Sequence, residues 1–244
     1  MAGYHFCKRT SNNGTWTGCL TDIQLPYKTK AVYSTSSTVF QKNQLPEFFH
    51  GLLSTVGGHG LEAGIGSKGD NNGYIWLVLG SNAVDNFANG CNDEWMQGDL
   101  SNISNGDRLT LDLSVGPTGM HFSILKNGER IFYKLIYLTS SALTDMLLGC
   151  KIYREAVVAA NKEAQYGDGI ASFEGVNIYS TRMFHVDGTL AKAEYMTTAN
   201  TVNHPGPDPG CPSLISANSN TMVTYPNYID TVIIAQDYGG GKLR

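Results

Sequence analysis

Apolar and polar residues alternate along this chain with the two-residue period of a strand far more often than with the 3.6-residue period of a helix. The clearest case is Leu109-Thr110-Leu111-Asp112-Leu113-Ser114-Val115, where every second residue is apolar. Across Gly116-Pro117-Thr118-Gly119 this run meets His121-Phe122-Ser123-Ile124-Leu125, and Lys126-Asn127-Gly128-Glu129 turns the chain back into 130–138. Asn-Gly between two alternating runs suits a two-residue hairpin turn, whose central residues both need positive φ. The three runs predict an antiparallel meander.

Further strand-like runs, bounded by Gly, Asn and Pro, fall at 31–40, 73–80, 171–179, 221–225 and 231–236. Helical pattern is scarce. Residues 140–148 fit a short helix capped by Ser140 or Ser141. Residues 155–165 read two ways: Ala and Glu favour a helix, while Ile152-Tyr153-Arg154-Glu155-Ala156-Val157-Val158 reads as a strand. The Pro- and Gly-rich stretch 203–211 is expected to be a surface loop, and 239–244 a flexible tail. Nothing resembling a linker or an internal repeat divides the chain. The expectation is one all-β domain over 1–238, a two-sheet antiparallel sandwich of jelly-roll type.

Composition agrees with many short strands and tight turns: 28 glycines and 13 tyrosines in 244 residues, with 16% charged. The net charge of -4 comes without a basic patch interleaved with aromatics, so no nucleic-acid partner is expected. No apolar run reaches the length of a membrane span, so no membrane partner is expected either. Met1-Ala2-Gly3-Tyr4-His5-Phe6-Cys7 lacks the apolar core of a signal peptide, which suits a cytoplasmic protein or a mature secreted form. Five cysteines (Cys7, Cys19, Cys91, Cys150 and Cys211) have no metal-type spacing and suit buried thiols, with a Cys7–Cys19 bridge as the alternative. The six histidines show no HxH or HxxxH spacing, so neither a metal nor another cofactor is expected. Asp93-Glu94-Trp95 reads as a solvated loop, and Gly64-Ile65-Gly66 lacks the strand–helix setting of a phosphate loop.

The candidate chemistry begins with Leu61-Glu62-Ala63-Gly64-Ile65, a carboxylate inside an apolar, glycine-punctuated strand pattern. Strand geometry puts Glu62 on the face opposite Leu61 and Ala63. If that face lines a cleft, Glu62 is an acid or base; if it meets water, it is a surface charge.

Read in order, the motifs resemble the eqolisins, the glutamic peptidase family, whose fold is a concanavalin-like β-sandwich. Trp16-Thr17-Gly18 followed by Ile23-Gln24-Leu25-Pro26 is similar to the family's opening Trp-x-Gly element and first strand. Phe49-His50-Gly51-Leu52 stands where the family has Trp-Val-Gly-Ile, and Leu61-Glu62-Ala63-Gly64-Ile65 where it has Leu-Gln-Thr-Gly-Val. Tyr74-Ile75-Trp76 matches its aromatic strand, and Ile103-Ser104-Asn105-Gly106-Asp107 its Ile-x-x-Gly-Asp. Arg154-Glu155-Ala156-Val157-Val158 resembles the strand carrying the catalytic Glu. Ala171-Ser172-Phe173-Glu174-Gly175-Val176 and Met222-Val223 are similar to the elements after it.

The resemblance implies that Glu155 is the general base and that Glu62 occupies the position of the catalytic Gln. Phe49 takes the place of a Trp near the cleft. It also implies a cleft in which Glu62 and Glu155 lie on neighbouring strands of a concave sheet, within about 8 Å. Trp76, Tyr74, Phe49, Tyr153 and His50 would line it as substrate-binding residues. Two carboxyls at such a distance share a proton, giving one acid and one base. The expected activity is peptide hydrolysis. Two alternatives remain: a small-molecule isomerase, cyclase or dehydratase using the same pair, and a non-catalytic lectin-like module binding glycans on an aromatic platform that includes Trp95.

Overall fold

The computed structural model describes residues 2–10, 15–33, 44–70, 72–81, 95–160, 171–185, 194–197, 199–203, 216–218 and 230–234. Two antiparallel sheets account for nearly all of them. One sheet holds seven strands: β1 (Ala2–Thr10), β4 (Gln44–Ser54), β5 (Gly60–Ser67), β6 (Tyr74–Ser81), β7 (Trp95–Leu100), β11 (Cys150–Ala160) and β14 (Thr201–Asn203). Their spatial order is β14-β1-β11-β4-β5-β6-β7. The other holds nine: β2 (Gly18–Gln24), β3 (Lys28–Lys30), β8 (Arg108–Gly116), β9 (Gly119–Lys126), β10 (Glu129–Ile136), β12 (Ser172–Phe184), β13 (Glu194–Tyr195), β15 (Ser216–Asn218) and β16 (Asp230–Ile234). These run β10-β9-β8-β2-β12-β16-β15, with β3 and β13 also paired to β12. The fold is an all-β, two-sheet antiparallel sandwich.

The meander β8–β9–β10 is present with the register its alternation predicts: Leu109, Leu111, Leu113 and Val115 are buried. Asn127 and Gly128 take φ of 54° and 80° and close the second hairpin. The inner faces of the two sheets pack into one core that includes Phe48, Leu52, Leu61, Ile65, Phe122, Ile152 and Phe173. As far as Ala160 the ambiguous segment is strand β11, as its β-branched and aromatic residues favour in the middle of a sheet, and 161–165 lie outside the described residues. The short helix α1 (Ser140–Leu147) is capped not by Ser140 or Ser141 but by Thr139, whose hydroxyl accepts from the Ala142 N–H at 3.2 Å.

Of the predicted run 31–40 only 31–33 is described, and it lies in no strand; 221–225, the 203–211 loop beyond Asn203 and the 239–244 tail fall outside the described residues. Cys19 and Cys150 are buried free thiols, so Cys19 is not bridged to Cys7.

One polar strip crosses the core. The Arg154 guanidinium, fully buried, donates to the Thr181 hydroxyl at 3.3 Å. Thr181 meets Thr21 at 3.1 Å, Thr21 meets His50 Nδ1 at 3.1 Å, and the Cys19 thiol lies 3.4 Å from the same nitrogen. The strip ties β11 and β4 of one sheet to β12 and β2 of the other.

Candidate active site

Side chains on a strand alternate between faces, and residues in register on neighbouring strands share a face. On the seven-stranded sheet, His50, Arg154 and Ala156 turn inward, toward the other sheet. Their neighbours Phe49, Tyr153 and Glu155 therefore turn outward. Three cross-strand rows build this outer face. In the first, Tyr153 is in register with Gly51, Gly51 with Glu62, and Glu62 with Leu79. The second runs Glu155, Phe49, Gly64, Leu77 and Gln97. The third runs Val157, Glu47, Gly66, Ile75 and Asp99.

Glycine makes the first row work. A Cβ at Gly51 would collide with the Tyr153 ring carbon Cζ and its hydroxyl. The ring thus lies across β4, over Gly51, and the phenol donates to Glu62 Oε1 at 2.7 Å. A hydroxyl donating to one carboxyl oxygen fixes the orientation of the group. In the second row a Cβ at Gly64 would strike the Phe48 carbonyl oxygen, so the two backbones approach as only glycine permits.

The outer face is covered rather than open. Leu45, Phe49, Ile75, Leu77 and Val157 form a second apolar cluster there, with Ala31, Tyr33 and Leu79 packed against it. Glu155 is 7% exposed and Glu62 is half-buried.

Glu62, Glu155, Phe49 and Tyr153 are therefore brought together on one face. Glu62 and Glu155 are not on neighbouring strands, however: β4 lies between β5 and β11, so their backbones stand two strand spacings across and two residues along, roughly 12 Å apart. The other three expected lining residues are on the wrong face. His50 is fully buried in the polar strip between the sheets. Tyr74 is buried in the main core and donates to Asn105 Oδ1 at 2.7 Å. Trp76 stacks on Phe132 of the opposite sheet at 5.2 Å between ring centres, with Lys134 over its ring.

A third carboxyl joins the face. Glu47, two residues before Phe49 on β4, is fully buried, and neither of its oxygens has a hydrogen-bond partner among the described residues. Burial first, then the charges of Glu62 and Glu155, push its pKa well above the usual carboxylate range. Its sequence signal resembles that of Glu62: a lone carboxylate in the apolar run Pro46-Glu47-Phe48-Phe49. His50, by contrast, is held down to about 3 by burial, so it stays neutral in the core.

Comparison with solved structures agrees with this architecture. Scytalido-glutamic peptidase bound to a transition-state analogue inhibitor superposes with a TM-score of 0.54 at 11% identity, covering 95% of this chain and 97% of that one. The chain has the glutamic-peptidase fold. SCP-B, a member of the eqolisin family solved with the tripeptide Ala-Ile-His, gives 0.51 at 9% identity, again over 95% and 97% of the two chains. Identities this low speak for the fold alone. No family model matches the sequence, and no curated protein matches it.

Proposed function

We propose that the chain is a carboxylate-dependent peptide hydrolase of the glutamic-peptidase type, working at acidic pH. One observation carries this reading: on a fold shared with glutamic peptidases, Glu155 and the Tyr153–Glu62 pair face the same covered surface, one row apart. Glu155 takes a proton from water as the water oxygen bonds to the peptide carbonyl carbon. The proton then passes to the amide nitrogen as the C–N bond breaks, and Glu155 returns to its carboxylate form.

The developing oxyanion needs a donor. At the position where the resembling family has a Gln amide, this chain has Glu62, which donates only when protonated. The Tyr153 hydroxyl gives its one proton to Glu62 Oε1 at 2.7 Å, so it orients that carboxyl rather than donating to the oxyanion itself. This requirement for a protonated Glu62 is the reason for expecting acid activity. The reading is tested by incubating the protein with denatured casein across acidic and neutral pH, with Glu155→Gln as the control and mass spectrometry as the readout.

A further inference from the structure

Glu47 has no part in the hydrolysis just described, yet it is the most completely hidden acid on that face. We infer that Glu47 is the proton-holding partner of Glu155: the two carboxyls, diagonal neighbours across the β4–β11 ladder, carry one negative charge between them. Glu47 is the member that keeps the proton, and it acts as a positioning residue beside Glu155. This inference rests on the reading in which Glu155 is the base.

The register supplies the geometry. Glu155 faces Phe49, and Glu47 lies two residues along β4 from Phe49. Diagonal pairs of this kind stand about 7–8 Å apart at the backbone, within reach of two glutamate side chains. Glu62, on the far side of β4, is further from Glu155 across the sheet. Glu47, on the strand next to Glu155, is thus its nearer acid, while the Glu62 charge also reaches Glu47.

The surroundings decide which group keeps the proton. Glu47 is flanked by Val157 and Gly66 in its own row and lies among Leu45, Phe49, Ile75 and Leu77. No described group donates to either of its oxygens. An ionised carboxylate in that setting is far more costly than the neutral acid. Burial is the largest influence on Glu47, the charges of Glu62 and then Glu155 add to it, and the N-terminal charge opposes it. Of the titratable groups facing it, β11 supplies Glu155, Tyr153 and, at the far end of the face, Lys151; β5 supplies Glu62. Asp99, in the same row on β7, is paired with Lys68 at 2.8 Å, and Tyr33 packs against the apolar cluster. On β1, positions His5, Cys7 and Arg9 are in register with Val157, Glu155 and Tyr153.

The test reads protonation directly and needs no substrate. Infrared difference spectra of the full chain are recorded across pH for wild type, Glu47→Gln and Glu155→Gln, following the C=O stretch of a protonated carboxyl. The expected result is a band that persists at neutral pH in wild type and is missing in Glu47→Gln. In Glu155→Gln it should disappear at a pH lower by roughly one unit or more, because the neighbouring charge is gone. Absence of the band from neutral wild type, or a midpoint unmoved by Glu155→Gln, overturns the inference. If Glu47→Gln does not fold, the Glu155→Gln shift decides alone. A band that shifts in a chain that cleaves no casein leaves the Glu47–Glu155 coupling in place and removes the peptidase reading instead.

Discussion

Exchanging a single carboxyl for an amide separates the roles on the outer face. If Glu155 is the base proposed above, Glu155→Gln should lower turnover on denatured protein about 10²–10⁴-fold. Glu62→Gln installs the amide that glutamic peptidases are known for, so it should cost less and extend activity toward neutral pH. Equal turnover in wild type and Glu155→Gln would remove Glu155 from the mechanism. Stability carries a second signature at this scale, because two buried groups titrate in opposite senses. The pKa of His50 is depressed from its usual 6.5 to about 3, so the unfolded chain binds a proton there that the folded chain refuses. The stability that depends on neutral His50 is present above about pH 6.5 and is lost progressively down to about 3, by at most about 5 kcal/mol. Glu47 is raised, so its contribution is present below its ordinary 4.5 and is lost as pH rises through its folded value. Urea unfolding across pH should therefore show His50→Gln flattening the acid side and Glu47→Gln stabilising the neutral side. A wild-type acid slope retained in His50→Gln would contradict the burial argument.

At the scale of elements, the face depends on glycines that let large groups cross strands. Gly51→Ala places a methyl group against the Tyr153 ring and should displace the phenol from Glu62, costing about 1–3 kcal/mol and lowering turnover while Glu155 remains in place. Unchanged turnover would show that the Tyr153–Glu62 contact is dispensable. The β9–β10 turn gives a cleaner conformational test. Gly128 has φ of 80° and open space where a Cβ would stand, so Gly128→Ala should cost about 1–2 kcal/mol from backbone strain alone, read as a shift of the urea midpoint. What was legible in the sequence follows from how each strand is buried. β8 and β9 alternate openly because one side of that pair meets solvent. β4 does not: Phe48 and Leu52 pack between the sheets while Leu45 and Phe49 pack outside, so the two-residue period vanishes and the strand goes unread. Glu62 and Glu155 were visible as carboxylates in apolar strands, and Glu47 carried the same signal. Trp76, Tyr74 and His50 were drawn to the site by their chemistry, whereas their register sends them inward: Trp76 pairs with Ile65, not with Glu62.

For the whole molecule, the two-sheet sandwich was legible because periodicity and motif order agree from Trp16 to β12. The position of β4 between the two expected acids was not, since strand order depends on pairings far apart in the chain: β11 meets β4 across about a hundred residues. Function at this scale comes down to whether the fold carries a working, acid-active hydrolytic site built on Glu155. Digestion of denatured casein from about pH 2 to pH 8 by wild type and Glu155→Gln, with new peptide termini identified by mass spectrometry, decides it. Internal cleavage should be strongest at acidic pH in wild type and reduced at least about a hundredfold in Glu155→Gln. No cleavage by wild type at any pH, or the same cleavage from both proteins, would contradict a Glu155-based site.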